Sequence, residues 1–93
     1  MPSVLIIHEV ADYAHWKAAF DGAADLRRAA GEQSYQLLRF DDDANKVVHF
    51  SEWTSLAAAR VFFQSAEVAE IRRQAGVKEP EFCYLEWLEQ GTL

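Results

Sequence analysis

Cysteine occurs once in these 93 residues, proline twice and glycine four times, and nine Lys and Arg stand against fifteen Asp and Glu. A single thiol, Cys83, excludes an internal disulfide framework and a Cys-based zinc site, and it fits a reducing cytoplasm. With no basic neighbour in sequence, Cys83 reads as a small buried hydrophobe and not a nucleophile. The shortage of positive charge leaves a net charge of −6, which argues against nucleic acid and anionic membrane surfaces, because both demand a basic stripe. Arg27 with Arg28, and Arg72 with Arg73, are only two short doublets. No run approaches the roughly 18 apolar residues of a membrane span. The opening MPSVLIIHEV lacks a basic n-region and carries His8 and Glu9, so a strand is expected there and not a signal peptide.

What is abundant is apolar surface, 51% of residues with 13% aromatic. A chain of this length buries roughly 60 to 65% of its unfolded surface and cannot divide that between two cores, so residues 1–93 are expected to form one domain. The apolar excess predicts that part of the surface closes against a second copy.

Ser3 to Val10 is β-branched and apolar on both alternating faces until Glu9, the pattern of a central strand. Asp12 stands where an N-cap belongs, and Tyr13, Trp16, Phe20, Ala23, Leu26 and Ala30 recur at helical spacing up to Gly31, a C′ glycine. Gly22 lies inside this helix at a cost of roughly 1 kcal/mol relative to Ala, tolerable if something packs closely there. Gln33 to Phe40 and Lys46 to Trp53 are strand-like runs around a loop from Asp41 to Asn45. Thr54 or Ser55 caps a second helix, which Ser65 with Glu67 is expected to break before Val68, Ile71 and Gly76. Pro80 stops helix continuation, and Glu81 to Glu89 reads as a last strand with Tyr84 and Trp87 on opposite faces. The order β-α-β-β-α-β predicts an α+β, ferredoxin-like antiparallel sheet with both helices on one face, and the first and third strands as central neighbours. The other sheet face would meet a second copy.

His8 lies mid-strand with Ile6 and Val10 on its face, and pairing of the two central strands would bring it near His49. Two imidazoles on one face could poise a general base or bind a metal, but no zinc or iron spacing is present. The structural alternative is a buried histidine bonded to the backbone or to a Tyr hydroxyl. Tyr13, Trp16 and Phe20, joined by Phe62 and Phe63, are either core or the wall of a pocket for a flat aromatic ligand. Tyr35, Tyr84 and Trp87 border either that pocket or the interface. Glu9 and Glu52 need Arg39 or water as partner, and Asp41 to Asp43 read as a solvated loop without the spaced ligands of a calcium site.

His8-Glu9-Val10-Ala11-Asp12-Tyr13 followed by Trp16-Lys17 and Phe20-Asp21, Val47 to Trp53 entering a helix at Thr54, and the break at Gln64-Ser65-Ala66-Glu67 before Arg72 and Gly76-Val77 together resemble the dimeric α/β-barrel superfamily. Within it, the chain is similar to the small antibiotic-biosynthesis-monooxygenase group. That resemblance implies a homodimer with sheets packed face to face and a pocket between sheet and helices. Haem-degrading members use an Asn, a Trp and a His where this chain holds His8, Phe62 and Arg72, so haem degradation is disfavoured. The implied activity is oxidation of an aromatic or polyketide-like substrate by dioxygen without bound metal or flavin. His8 would take a proton from a phenol, and Tyr13, Trp16, Phe20, His49 and Phe62 would bind the substrate. The alternatives are a non-catalytic dimer that binds a hydrophobic metabolite, and an interaction module whose pocket is filled by its own side chains.

Overall fold

A computed structural model describes residues 1–93. The β-branched run at the start forms strand β1 (Pro2–Val10), and Asp12 then caps helix α1 (Tyr13–Gly22) by accepting a hydrogen bond from the His15 backbone N–H. Helix α2 (Ala24–Ala30) follows, then strands β2 (Glu32–Phe40) and β3 (Asp43–Trp53), helices α3 (Leu56–Phe63) and α4 (Ala66–Gln74), and strand β4 (Val77–Glu86). The sheet is antiparallel throughout, in the order β2-β3-β1-β4. The first and third strands are therefore the central pair, as the element order requires of this topology.

Strand parity decides what each face carries. Val4, Ile6, His8 and Val10 of β1, and Val47, His49, Ser51 and Trp53 of β3, are buried on the helix side. Leu5, Ile7, Val48 and Phe50 alternate with them on the other face and are only half-buried, next to the exposed Leu38 and Leu85. No helix covers this second face. Ser3 is the exception, fully buried because Trp87 lies on it and donates its indole N–H to Ser3 Oγ at 2.6 Å. Cys83 pairs with Leu5 on the open face and is half-buried, not the core residue its composition implies.

Five expectations change. The first helix is broken, because at Ala23 the backbone (φ −96°, ψ 8°) leaves helical geometry and its N–H is shared between Ala19 and Phe20 carbonyls. A side chain at Gly22 would meet nothing within 4 Å, so this glycine marks the end of α1 and not a close contact. The hairpin needs only Asp41 and Asp42 as its turn, since Phe40 pairs with Asp43 and the Asp43 carboxylate accepts from the Asn45 N–H. A solvated hairpin end is polar on strand and turn alike, so polarity could not mark the boundary. Strand β4 begins at Val77 and passes through Pro80, which an edge strand tolerates because its outer N–H needs no partner. Arg39 stacks on Tyr13, 4.6 Å from the ring centroid, and forms no ion pair with Glu9 or Glu52.

The break in the second helical segment occurs where expected, with Ser55 capping α3 and Ser65 capping α4 through Val68 N–H. Gly31 ends α2 at φ 124°, a conformation side chains avoid, and a Cβ there would lie 2.6 Å from Thr54 Oγ1. Gly31→Ala is expected to destabilise the protein by about 1–3 kcal/mol, read as a lowered urea midpoint with unchanged slope. No helix is long and apolar enough to cross a membrane.

Candidate active site

The apolar core is divided. One cluster gathers Val4, Ile6, Trp53, Phe62 and Phe63, and the other gathers Val10, Trp16, Phe20 and Val47. His8 and His49 fall between them, because each occupies the strand position where one cluster gives way to the other. Register pairs Ile6 with His49 and His8 with Val47, so the two histidines are diagonal neighbours on one face.

Above them is a cavity of about 60 Å³, roofed by α1 and α2 on one side and α3 and α4 on the other. Trp16, Phe20, Phe62 and Phe63 supply its aromatic wall, and His8, His49, Arg27 and Arg72 are its polar members. The rings are in contact: Trp16 stacks on Phe20 at 5.1 Å, His8 lies 5.3 Å from Trp16, and His49 meets Phe20 edge-on at 5.0 Å. Tyr13 does not line the cavity. It packs 6.0 Å from Trp16, beneath Arg39. Tyr35 and Tyr84 are on the helix side of the sheet, and Trp87 is on the other.

His8 is 5% exposed, and its Nδ1 is buried without a hydrogen-bond partner. Strand β4 bulges beside it: Ile7 pairs with Glu81 and Glu9 with Lys78, leaving the segment through Glu79 (φ 42°) opposite His8. Bulges of this kind re-aim side chains next to functional sites. Burial first, then the charges of His49 and Arg72, push the His8 pKa from 6.5 to about 3. Neutral imidazole is therefore its resting form, able to share a hydrogen bond.

Between those two values the unfolded chain binds a proton that the folded chain refuses, so stability falls as pH drops from 6.5 toward 3. At pH 5 the loss is on the order of 2 kcal/mol. His8→Leu cannot take up this proton and is expected to lose correspondingly less stability between pH 7 and pH 5. Parallel urea-midpoint profiles for the two proteins would show that His8 is not desolvated.

Three charged residues complete the site. In sequence Glu32 passes unremarked, Arg27 enters only as half of a doublet, and Arg72 enters as half of another and where haem-degrading members hold a His. Glu32 opens β2 directly after Gly31, facing the helices and 7% exposed. One carboxylate oxygen lies 3.0 Å from His49 Nε2, and the other lies 3.0 Å from Arg27 Nε, an ion pair whose angle falls short of a hydrogen bond. The break at Ala23 turns α2 so that Arg27 reaches inward, where it stacks 3.7 Å over Phe20 and donates to the Phe20 carbonyl. Arg72 donates to the Phe63 carbonyl at 3.1 Å and stands over Phe82, and no carboxylate pairs with it. Burial lowers its pKa from the usual arginine value. No three His, Cys, Asp or Glu side chains cluster as a metal ligand set.

The family described as antibiotic biosynthesis monooxygenase matches residues 11–74, from the N-terminal side of α1 to the end of α4. The chain belongs to this family. Solved structures of the same fold include SnoaB, a cofactor-independent oxygenase from Streptomyces nogalater, at TM-score 0.78 and 17% identity over 96% of this chain and 94% of that one. Rv0793 from Mycobacterium tuberculosis matches at TM-score 0.69 and 21% identity, covering 99% of this chain and all of its own. No curated protein matches in sequence. At these identities the likeness of a family member to its neighbours is one of fold.

Proposed function

We propose that this protein is a small-molecule monooxygenase that oxidises a hydroxylated aromatic ring with dioxygen in the cavity between the helix pairs. The observation that carries the reading is the buried, unpartnered His8 Nδ1 in an aromatic-walled cavity whose one unpaired charge is the Arg72 guanidinium. An orphaned buried nitrogen costs about 1–3 kcal/mol, and a substrate hydroxyl would relieve that cost. Trp16, Phe20 and Phe62 hold the ring and exclude water, His8 and His49 contact its oxygen, and Arg72 favours the anion. An electron-rich phenolate needs no further reductant. Converting a ring C–H to a carbonyl while the phenol C–OH becomes the second carbonyl of a quinone removes four electrons, and dioxygen takes four as one atom enters the ring and the other leaves as water.

The substrate would reach the cavity from a groove of about 350 Å³ between α1 and α4, which shares Ala19, Ala23, Leu26, Ile71 and Ala75 with the cavity wall. Ligand sites usually measure about 300 Å³ or more, so the helices must part to admit a ring system. A second reading, a non-catalytic binder of a hydrophobic metabolite, uses the same aromatic wall and needs no ionisable base. In both readings residues 1–93 act as one domain in the cytoplasm, paired with a second copy through the uncovered face of Leu5, Ile7, Leu38, Val48 and Phe50.

Thermal shift against flat phenols, with mass in solution and oxygen uptake, tests this. A ligand at a hundredfold excess over its dissociation constant adds about 2.7 kcal/mol. Binding with turnover that replacing His8 and His49 together abolishes supports the oxygenase. Binding without turnover on any phenol supports the binder, and a folded monomer removes the pairing.

A further inference from the structure

We propose that His49, held by the Glu32 carboxylate, is the proton acceptor of this pocket, with Glu32 as positioning residue and His8 as hydrogen-bond partner only. The inference rests on the functional reading above and adds to it the residue that removes the substrate proton. Glu32 lies 17 residues from His49 in sequence, and their pairing comes about only because β2 and β3 are neighbours.

His49 Nε2 faces a carboxylate oxygen at 3.0 Å, with the two side chains 2% and 4% exposed. An ionised carboxylate only accepts, so Nε2 carries the hydrogen and the lone pair resides on Nδ1. Nδ1 bonds to no protein group, and His49 lines the cavity. The groups around His49 are Glu32 and Tyr35 from β2, Arg27 from α2, His8 from β1 and, across the cavity, Arg72 from α4. Arg27 and Glu32 cancel, so transfer of a proton to His49 leaves an imidazolium next to a carboxylate and a substrate anion facing Arg72. His8 has no such carboxylate, and its burial opposes any positive charge on it. In the transfer, the phenol O–H bond breaks, its electron pair stays on oxygen, and the new N–H bond forms at Nδ1.

The test uses 4-nitrophenol, whose anion is coloured, so that the ionised fraction of the bound phenol is read directly without turnover. At a pH where the free phenol is largely neutral, the wild type is expected to bind it as the anion. The ratio of anion to neutral phenol is expected to fall about tenfold in His49→Gln. Glu32→Gln alone strands Arg27, so the companion is Glu32→Gln with Arg27→Met, which keeps a partner for Nε2 but removes the carboxylate; the same fall is expected. A purely structural Glu32 would change affinity and leave that ratio alone.

Histidine side-chain nitrogen NMR on the ligand-free protein gives a second, independent reading, expected to show the His49 hydrogen on Nε2. A hydrogen on Nδ1, or an anion ratio that survives His49→Gln and collapses in His8→Gln, overturns the assignment. Failure of 4-nitrophenol to bind at all counts against the phenol-oxidising function, and the base falls with it. Binding with an ionisation that ignores His49 sinks the base alone.

Discussion

Glu32→Ala is expected to destabilise the protein by about 3–5 kcal/mol, because it leaves Arg27 buried with no opposite charge. Arg27 is 6% exposed, and its remaining partners are the Phe20 carbonyl and the rings of Phe20 and Tyr35. None of these neutralises a guanidinium. Against the roughly 5–15 kcal/mol that holds a typical domain folded, a loss of this size brings the variant close to unfolding at room temperature. Replacing both partners by apolar residues, as in Arg27→Met with Glu32→Leu, is expected to recover most of it, since a well-packed apolar pair often matches a buried ion pair. Urea unfolding of the two variants next to wild type decides the matter. A loss under about 1 kcal/mol for Glu32→Ala would mean that water screens the cluster.

Trp53→Ala is expected to cost a similar amount, about 3–5 kcal/mol, by a different mechanism. The indole is fully buried, packs on Phe62 at 5.5 Å and on Phe63 at 5.2 Å, and donates to Ser51 Oγ at 2.8 Å. Truncation removes dispersion contacts on both sides and opens a void that α3 cannot fill without leaving Ser55 and its cap. Trp53→Phe keeps most of the volume and should cost clearly less. Equal losses for the two substitutions would assign the effect to the hydrogen bond and not to packing. Trp53 also underpins the phenylalanines of the cavity wall, so ligand-induced stabilisation should weaken in Trp53→Ala even where the protein remains folded.

The elements legible in the sequence are those governed by local rules. Asp12, Ser55 and Ser65 cap helices through their own side chains, and each lies where the pattern places it. The β-branched run of β1 and the alternation of β3 carry their parity openly. His8, Trp16, Phe20, His49 and Phe62 could be proposed together because strand order follows from element order, and these five do meet at one cavity. Tyr13 shares the helical spacing of Trp16 and Phe20 yet misses the cavity, because it stands in the first turn of α1, where the helix has not yet passed over the site.

What stayed hidden depends on geometry between elements. Arg27 reads in sequence as half of a surface doublet with Arg28, and only the turn at Ala23 separates an inward arginine from an outward one. Glu32 carries no local signal, because one acidic residue after a glycine resembles any strand start. Arg72 points inward because α4 is a new helix with its own phase after Ser65, so the helical period cannot be carried across the break.

The sequence by itself determined the order of elements, the two central strands, the caps and the aromatic surplus, since each follows from backbone preference and from periods of 2 and 3.6 residues. Tertiary structure alone decided the site's charge: Glu32 between Arg27 and His49, His8 left without a partner, and Arg72 left without a counter-ion. Electrostatic pairing depends on distance through space, and residues brought together by register and helix direction leave no periodic mark on the chain.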